Sequence, residues 1–379
     1  MKEKKEKKPK SKAKKILSII ACVLVVIIIA GVAIAYPQLP HPLNYDIKGI
    51  ESVGSDVTIV EEGEDFVSIK KNSDGDFKIL MFTDIHLDGK NETSNITVDN
   101  LVRNIQKEKP DLVILGGDNV TSAFNNKRSH QLAEIFEKLG VYWGGVIGNH
   151  EGDNDFSISR EKMVDIFSSY DHCLMRQGKK DVSGNGNYVL NILNKDDSIR
   201  EAFFCLDSHD EITEEHMTEY NVEETGKTIY DGLDETQVNW YKDTLADMKE
   251  KNGDFQSIVV VHIPLPQVET NVDENTEFLY GGKLENTCEQ GFDSGLFEAI
   301  KEGGSTQAVF SGHDHLNNFG IMVDDILLSY IEPSGYGSYT TKSKLGYEEK
   351  DWLQGYTKLH INEDGVFSLQ LHRNSEDMK

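Results

Sequence analysis

From Phe77 onward, short apolar runs alternate with stretches in which apolar residues recur every three or four positions. "FKILMF" (77–82) is a run of buried-strand type. Val98, Leu101, Val102 and Ile105 then follow at helical spacing, and Pro110 closes that helix. "LVIL" (112–115) predicts a second buried strand. Leu132, Ile135, Phe136 and Leu139 predict another helix before "VYWGGVI" (141–147). This rhythm predicts βαβ units and a parallel sheet. Further strands are expected at "NYVLNIL" (187–193), "AFFCLD" (202–207), "SIVVVH" (257–262), "AVFS" (308–311), "ILLSYI" (326–331), "YTKLHI" (356–361) and "VFSLQLH" (366–372). Few helices separate the last of them, so a second sheet packed on the first is expected. Upstream, "DVTIVEEGEDFVSIKKNSDGDF" (56–77) reads as one or two edge strands with a turn at Ser73-Asp74-Gly75.

The N-terminus follows a different pattern. Residues 1–15 hold nine lysines and two glutamates, and Ile16–Tyr36 is twenty-one residues without a charge. A helix of that length covers roughly 30 Å, the thickness of a bilayer core. The lysines stay cytoplasmic by the positive-inside rule, which puts everything after Tyr36 outside. Ala33-Ile34-Ala35 also fits a signal cleavage site, but the apolar run exceeds the 7–15 residues of a signal core. An uncleaved anchor is the favoured reading, and a secreted form cut after Ala35 is its alternative. The organisation expected is a basic cytoplasmic tail (1–15), a transmembrane anchor (16–36), a stalk with edge strands (37–75) and the main domain (76–375). The prolines of "YPQLPHPLNYD" (36–46) suit an extended stalk.

The whole chain has 39 Lys+Arg against 65 Asp+Glu; without residues 1–15 this becomes 30 against 63, a net of −33. Such a domain repels polyanions, so nucleic acid is an unfavourable partner. Cys173, Cys205 and Cys288 lie beyond the anchor, at no regular spacing, and do not form a disulfide framework. Cys205 reads as a small buried apolar residue. A Cys173–Cys288 bond stays open.

The candidate chemistry lies at the strand ends. "FTDIH" supplies Asp84 and His86, "LGGDN" Asp118, "IGNHE" Asn149 and His150, "VVVHIP" His262, and "SGHDH" His313 and His315. Each group follows an apolar strand candidate at its C-terminal end, where open α/β sheets bind ligands. His313 and His315 leave an extended segment on one face. Five of the twelve histidines fall at these places, which random scatter would not produce. Two aspartates, one asparagine and four histidines offer oxygen and nitrogen only, which suits Mn, Fe or Zn. With Asp118 shared, seven donors are the right number for two adjacent metal ions.

The ordered set "DIH", "GGDN", "GNHE", "VVHIP" and "GHDH" resembles the calcineurin-like metallophosphoesterase superfamily, over roughly Phe77 to His372. "KILMFTDIHL", "VVVHIPLP" and "AVFSGHDHLNNFG" are most similar to its purple-acid-phosphatase-related branch. The resemblance implies an α/β fold of four layers, a sandwich of two sheets with helices outside. It implies one metal on Asp84, His86, Asp118 and His315, and a second on Asp118, Asn149, His262 and His313. A hydroxide bridging the two metals would attack phosphorus, and His150 would be the catalytic histidine beside the leaving group.

Two departures matter. Purple acid phosphatases carry a tyrosine where this chain has Thr121, and they lack a histidine at the position of His86, so a tyrosinate-iron centre is not expected. Serine/threonine protein phosphatases carry an aspartate at the Thr121 position and a phosphate-gripping arginine nearby. Neither is here, which leaves His150 without an assigned orienting partner.

Other motifs read more plainly. Asp314 is expected to support the ligands or lie at the surface, and His209 to be a solvated loop histidine. Either a pocket-mouth role or an ordinary turn explains "PSGYGSYTT" (333–341). Trp240 and Tyr241, in a helix opened by "LDET", are expected in the core. The sequons at Asn91, Asn95 and Asn119 read as chance matches, the last adjoining a proposed ligand. The functional expectation is a membrane-anchored, extracytoplasmic binuclear phosphoesterase acting on phosphate monoesters or diesters, either small molecules or cell-envelope material. Its rivals are a nucleotide or lipid-head-group phosphodiesterase and a non-catalytic metal-binding surface module.

Overall fold

A computed structural model describes residues 12–35, 45–88, 90–121, 125–153, 157–348 and 352–378. Helix α1 (Lys12–Ala35) comes first. The hairpin β1 (Val57–Glu62) and β2 (Phe66–Lys71) is followed by β3 (Phe77–Phe82), α2 (Asn91–Glu108), β4 (Leu112–Gly116), α3 (Asn125–Leu139) and β5 (Tyr142–Val146). Next come α4 (Arg160–Ser168), β6 (Tyr188–Leu193), β7 (Ile199–Cys205), α5 (Glu214–Glu219), α6 (Glu235–Asn252), β8 (Ser257–Val260), α7 (Pro266–Thr270) and α8 (Leu296–Gly303). The chain closes with β9 (Thr306–Ser311), β10 (Gly320–Val323), β11 (Ile326–Tyr330), α9 (Thr341–Leu345), β12 (Gly355–Ile361) and β13 (Phe367–Arg373).

The strands make two sheets, ordered β1-β2-β6-β7-β8-β9-β11-β10 and β13-β12-β3-β4-β5. β3, β4 and β5 are parallel, as the βαβ rhythm predicts. Alternate side chains of the larger sheet enter different cores, because successive residues of a strand face opposite ways. Ile258, Val260, Ala308 and Phe310 join the core shared with the smaller sheet. Their neighbours Val259 and Val309 pack instead with Trp240, Tyr241 and Leu245 of α6 and with Leu296 and Ile300 of α8.

Of the one or two edge strands expected upstream, one is found. β2 lies inside its sheet between β1 and β6, so only β1 is an edge strand. Its hairpin turns at Gly63, whose N–H meets the Phe66 carbonyl at 2.8 Å, while residues 73–75 lead across to β3 in the other sheet. The second sheet expected from the later strands is present; β12 and β13 join the smaller sheet, where β12 pairs with β3. The short strand β10 was not expected; four residues are too few to show alternation. All four cysteines are free. Cys173 is buried beside Trp143, whereas the Cys288 backbone hangs on Asp314, so the pairing left open does not form.

In α1 the described side chains are Leu17 and Ile19–Gly31, all exposed. Among the described residues no helix is long and apolar enough to cross a membrane. The expected anchor runs past those side chains at both ends, and residues 1–11 of the tail, Tyr36 of the anchor and 37–44 of the stalk lie outside the described residues.

Candidate metal centre

Four of the expected donors sit where a strand stops and the backbone turns left-handed: Asp84 (φ 52°), His86 (φ 45°), Asp118 (φ 51°) and His313 (φ 77°). Asp and His tolerate that region better than most residues, yet each instance still costs about 1–3 kcal/mol. Packing holds them there. The loops after β3 and β4 are joined by Asp84 N–H to the Gly117 carbonyl (3.0 Å) and His86 N–H to the Asp118 carbonyl (2.8 Å). In the larger sheet the loops after β8 and β9 are joined by Gly312 N–H to the His262 carbonyl (3.0 Å), and that sheet closes on the β3 loop through His313 N–H to Asp84 Oδ2 (3.1 Å). A Cβ at Gly312 would stand 2.0 Å from Thr83 Oγ1, which is why glycine precedes the histidine pair.

These turns gather the donor atoms. Asp84, His86, Asp118 and His315 place one ligand atom each within 4.8 Å of one another, and so do Asp118, His262 and His313. Asp118 is common to both groups. Asn149 opens a single helical turn (Asn149–Gly152) between two neighbours that touch Asp118. His150 N–H donates to Asp118 Oδ1 at 2.9 Å, and a Cβ at Gly148 would lie 2.2 Å from that same oxygen.

Two rings have their tautomers fixed. His262 Nδ1 donates to the Gly116 carbonyl (2.8 Å) and His315 Nδ1 to the Tyr339 carbonyl (3.0 Å). A carbonyl only accepts, so Nδ1 carries a proton in each ring, and the neutral form of either would turn an Nε2 lone pair into the site. Asp84 Oδ1, Asp118 Oδ2, Asn149 Oδ1 and His262 Nε2 are buried with no hydrogen-bond partner. Orphaning four polar atoms in one place is unfavourable unless something else pairs with them. All four are Lewis bases, and cations are what would satisfy them.

The electrostatics agree. Burial would raise Asp84 and Asp118, but surrounding imidazoles, led by His315 for the first and His262 for the second, hold both well below the usual carboxylate range. Burial also disfavours charge on the imidazoles. Asp118 overrides it at His262, raised to about 9, whereas His313, beside His262, falls to about 3. Two carboxylates cannot serve four imidazoles.

His150 stands at the rim, its side chain 41% exposed and its Nε2 4.0 Å from Asp118 Oδ2. Its Nδ1 donates to Asp153, a residue that sequence reasoning missed. Burial lowers His150, but that bond and the charge of Asp118 raise it to about 10. The intervening Glu151 turns inward, accepting from the N–H groups of Gly148 (2.8 Å) and Asn119. Arg160 clips this turn to the larger sheet, bonding the Gly148 carbonyl and the buried Asp207.

Asp314 is buried and accepts from Tyr330 Oη and Cys288 N–H, so it braces the histidine loop from behind. The 333–341 segment is more than a turn: Tyr339 stacks on His315, ring centroids 4.3 Å apart and planes within 10°. His209 is not solvated but partly buried, with Nε2 3.0 Å from Gln237 Oε1. Tyr230 packs edge-on against His313 at 4.2 Å, a contact with no sequence signal. Trp240 and Tyr241 are buried core residues, and Asn119 is buried beyond reach of a glycosyl donor.

The family model for calcineurin-like phosphoesterases matches residues 77–317, which takes in every one of these donors. The chain belongs to the calcineurin-like phosphoesterase family. Probable inactive purple acid phosphatase 14 of Arabidopsis thaliana is 30% identical over 306 residues, covering 72% of this chain and 73% of its own. Probable inactive purple acid phosphatase 29 of the same plant is 26% identical over 304 residues, 73% of this chain and 75% of its own. These relatives put this chain in the purple-acid-phosphatase-related branch. A dimetal phosphatase crystal structure from Danio rerio is similar at 15% identity and a TM-score of 0.47, covering 77% of this chain and 98% of that one.

Proposed function

We propose that this chain is a membrane-anchored, extracytoplasmic phosphoesterase that holds two metal ions and hydrolyses phosphate monoesters or diesters. The observation that carries the reading is the convergence of donor atoms around Asp118, four of them buried and unpartnered. Asp84, His86, Asp118 and His315 would hold one ion, and Asp118, Asn149, His262 and His313 the other. The all-nitrogen-and-oxygen donor set favours Mn, Fe or Zn. When bound, two such ions supply charge neutralisation for the phosphoryl oxygens and activation of a water as nucleophile.

The chain's own residues do the rest. The left-handed turns fix the carboxylates, the carbonyls of Gly116 and Tyr339 fix two imidazoles, and His150 offers Nε2 to a departing oxygen. General acid assistance of that kind is typically worth about 10²–10⁴ in rate. The uncharged run Ile16–Tyr36, with ten large apolar side chains between Leu17 and Ile29 at least 52% exposed, supports the anchor.

The relatives' names favour a second reading, a metal-binding module without turnover. This chain's His150, free at Nε2 and bonded at Nδ1, favours an enzyme. Metal content and hydrolysis of a chromogenic monoester and a chromogenic diester decide between them. The proposal expects about two ions per chain and turnover of one or both esters. Two ions with no turnover would leave the binding module.

A further inference from the structure

The segment around His150 has a feature that the family's motifs do not account for. The Thr121 position, where the protein phosphatases of this superfamily carry an aspartate, offers no carboxylate here. His150 nonetheless donates Nδ1–H to a carboxylate, that of Asp153, three residues further along the same turn. The other nearby carboxylates are engaged elsewhere. Asp118 Oδ1 takes the His150 backbone N–H and faces the opposite edge of the ring, and Glu151 is bonded to backbone at Gly148 and Asn119. The turn itself is anchored by Arg160 on the Gly148 carbonyl. Asp153 follows that turn directly, in helical backbone conformation (φ −55°, ψ −16°). Its side chain is 36% exposed, so it can change without opening the core.

We infer that Asp153 is the positioning residue of His150, supplied by the same turn as the histidine. By accepting from Nδ1 it fixes the ring plane and leaves Nε2 directed over Asp118 Oδ2. This rests on the proposed phosphoesterase reading. In hydrolysis the bond between phosphorus and the leaving oxygen breaks, and its electron pair stays on that oxygen, which takes the proton from His150 Nε2. Water supplies the oxygen joined to phosphorus and gives up one proton to solvent. The Nδ1 proton stays on the ring, held by Asp153, and Nε2 is reprotonated from solvent.

The experiment compares D153A and D153E with wild type on an alkyl phosphate and on p-nitrophenyl phosphate. D153A should keep about two metal ions per chain. It should lose about 100-fold or more on the alkyl ester, whose alkoxide needs a proton, and about threefold or less on the nitrophenyl ester, whose leaving group does not. D153E should recover part of the alkyl-ester rate. Equal losses on both esters, or none, would overturn the assignment. A readout independent of turnover uses metal-free protein labelled with ¹⁵N-histidine. The His150 Nδ1–H should show the downfield proton shift of a hydrogen bond to a carboxylate in wild type and lose it in D153A, whatever the state of Nε2; an unchanged spectrum would overturn it too. If wild type hydrolyses neither ester, the phosphoesterase reading fails while the nitrogen spectrum still decides the role of Asp153.

Discussion

His86 and His315, 229 positions apart, face each other with their Nε2 atoms 2.9 Å apart. The Nδ1 proton of His315 is committed to the Tyr339 carbonyl, so its neutral form presents a lone pair at Nε2. Two imidazoles meeting in this way gain little from each other and much from a cation held between them and Asp84. His315→Ala should therefore lose about one of two metal ions per chain, because Asp118, Asn149, His262 and His313 remain complete. Asp118→Asn, which alters the residue common to both groups, should lose nearly both. Elemental analysis after exhaustive dialysis checks this. Equal metal content in the two variants would contradict a shared Asp118.

Chelation should destabilise the domain without unfolding it. The buried oxygens of Asp84 and Asp118 lose their counter-charge when ions leave, whereas the two hydrophobic cores are untouched. Each ion at 100 times its dissociation constant stabilises by about 2.7 kcal/mol, so two raise Tm by roughly 8 °C for a domain of about 300 residues. Calorimetry with and without chelator measures the shift, and added metal should reverse it. An unchanged Tm would mean that the donor cluster holds no ion.

The donors were legible in the sequence because each follows an unbroken apolar run. Strands such as Leu112–Gly116 announce themselves, and a polar residue just past one has to stand at the sheet's edge. The supporting cast was not legible. Asp153 is one acid among 65, and only the ring geometry of His150 singles it out. Tyr339 sits in a glycine-rich turn, and its stacking on His315 depends on a fold-back that no local pattern encodes. The place of β2 was hidden for a similar reason. Alternation identifies a strand, but its parallel pairing with β6, Ser68 opposite Asn191, is a long-range contact.

Glycines beside the donors should matter as much as the donors. A Cβ at position 148 would lie 2.2 Å from Asp118 Oδ1 and 2.4 Å from the Asp118 backbone nitrogen. Backbone cannot yield as a flexible side chain can, so Gly148→Ala should cost about 1–3 kcal/mol, the usual range for overpacking. Metal content should fall although no ligand atom has been removed. Gly282→Ala is the control, since a Cβ there meets nothing within 4 Å. Paired measurements of Tm and bound metal test the claim, and a Gly148→Ala protein with full metal content would refute it.

The N-terminal helix should be separable from the chemistry. Among the described residues α1 contributes none to either hydrophobic core, whereas Tyr45, Ile47, Ile50 and Val53 pack against the larger one. A fragment beginning at Tyr45 should therefore keep the metal content and Tm of the whole chain and stay in solution. The whole chain should instead partition with vesicles, because a helix with so much exposed apolar surface is unfavourable in water. High salt should not release it: burial of Ile16–Tyr36 is apolar, whereas attraction of the lysine tail to lipid head groups is screened. Flotation at low and high salt distinguishes the two contributions. Release of the whole chain by salt alone would reduce the helix to an electrostatic tether and remove the basis for an extracytoplasmic site.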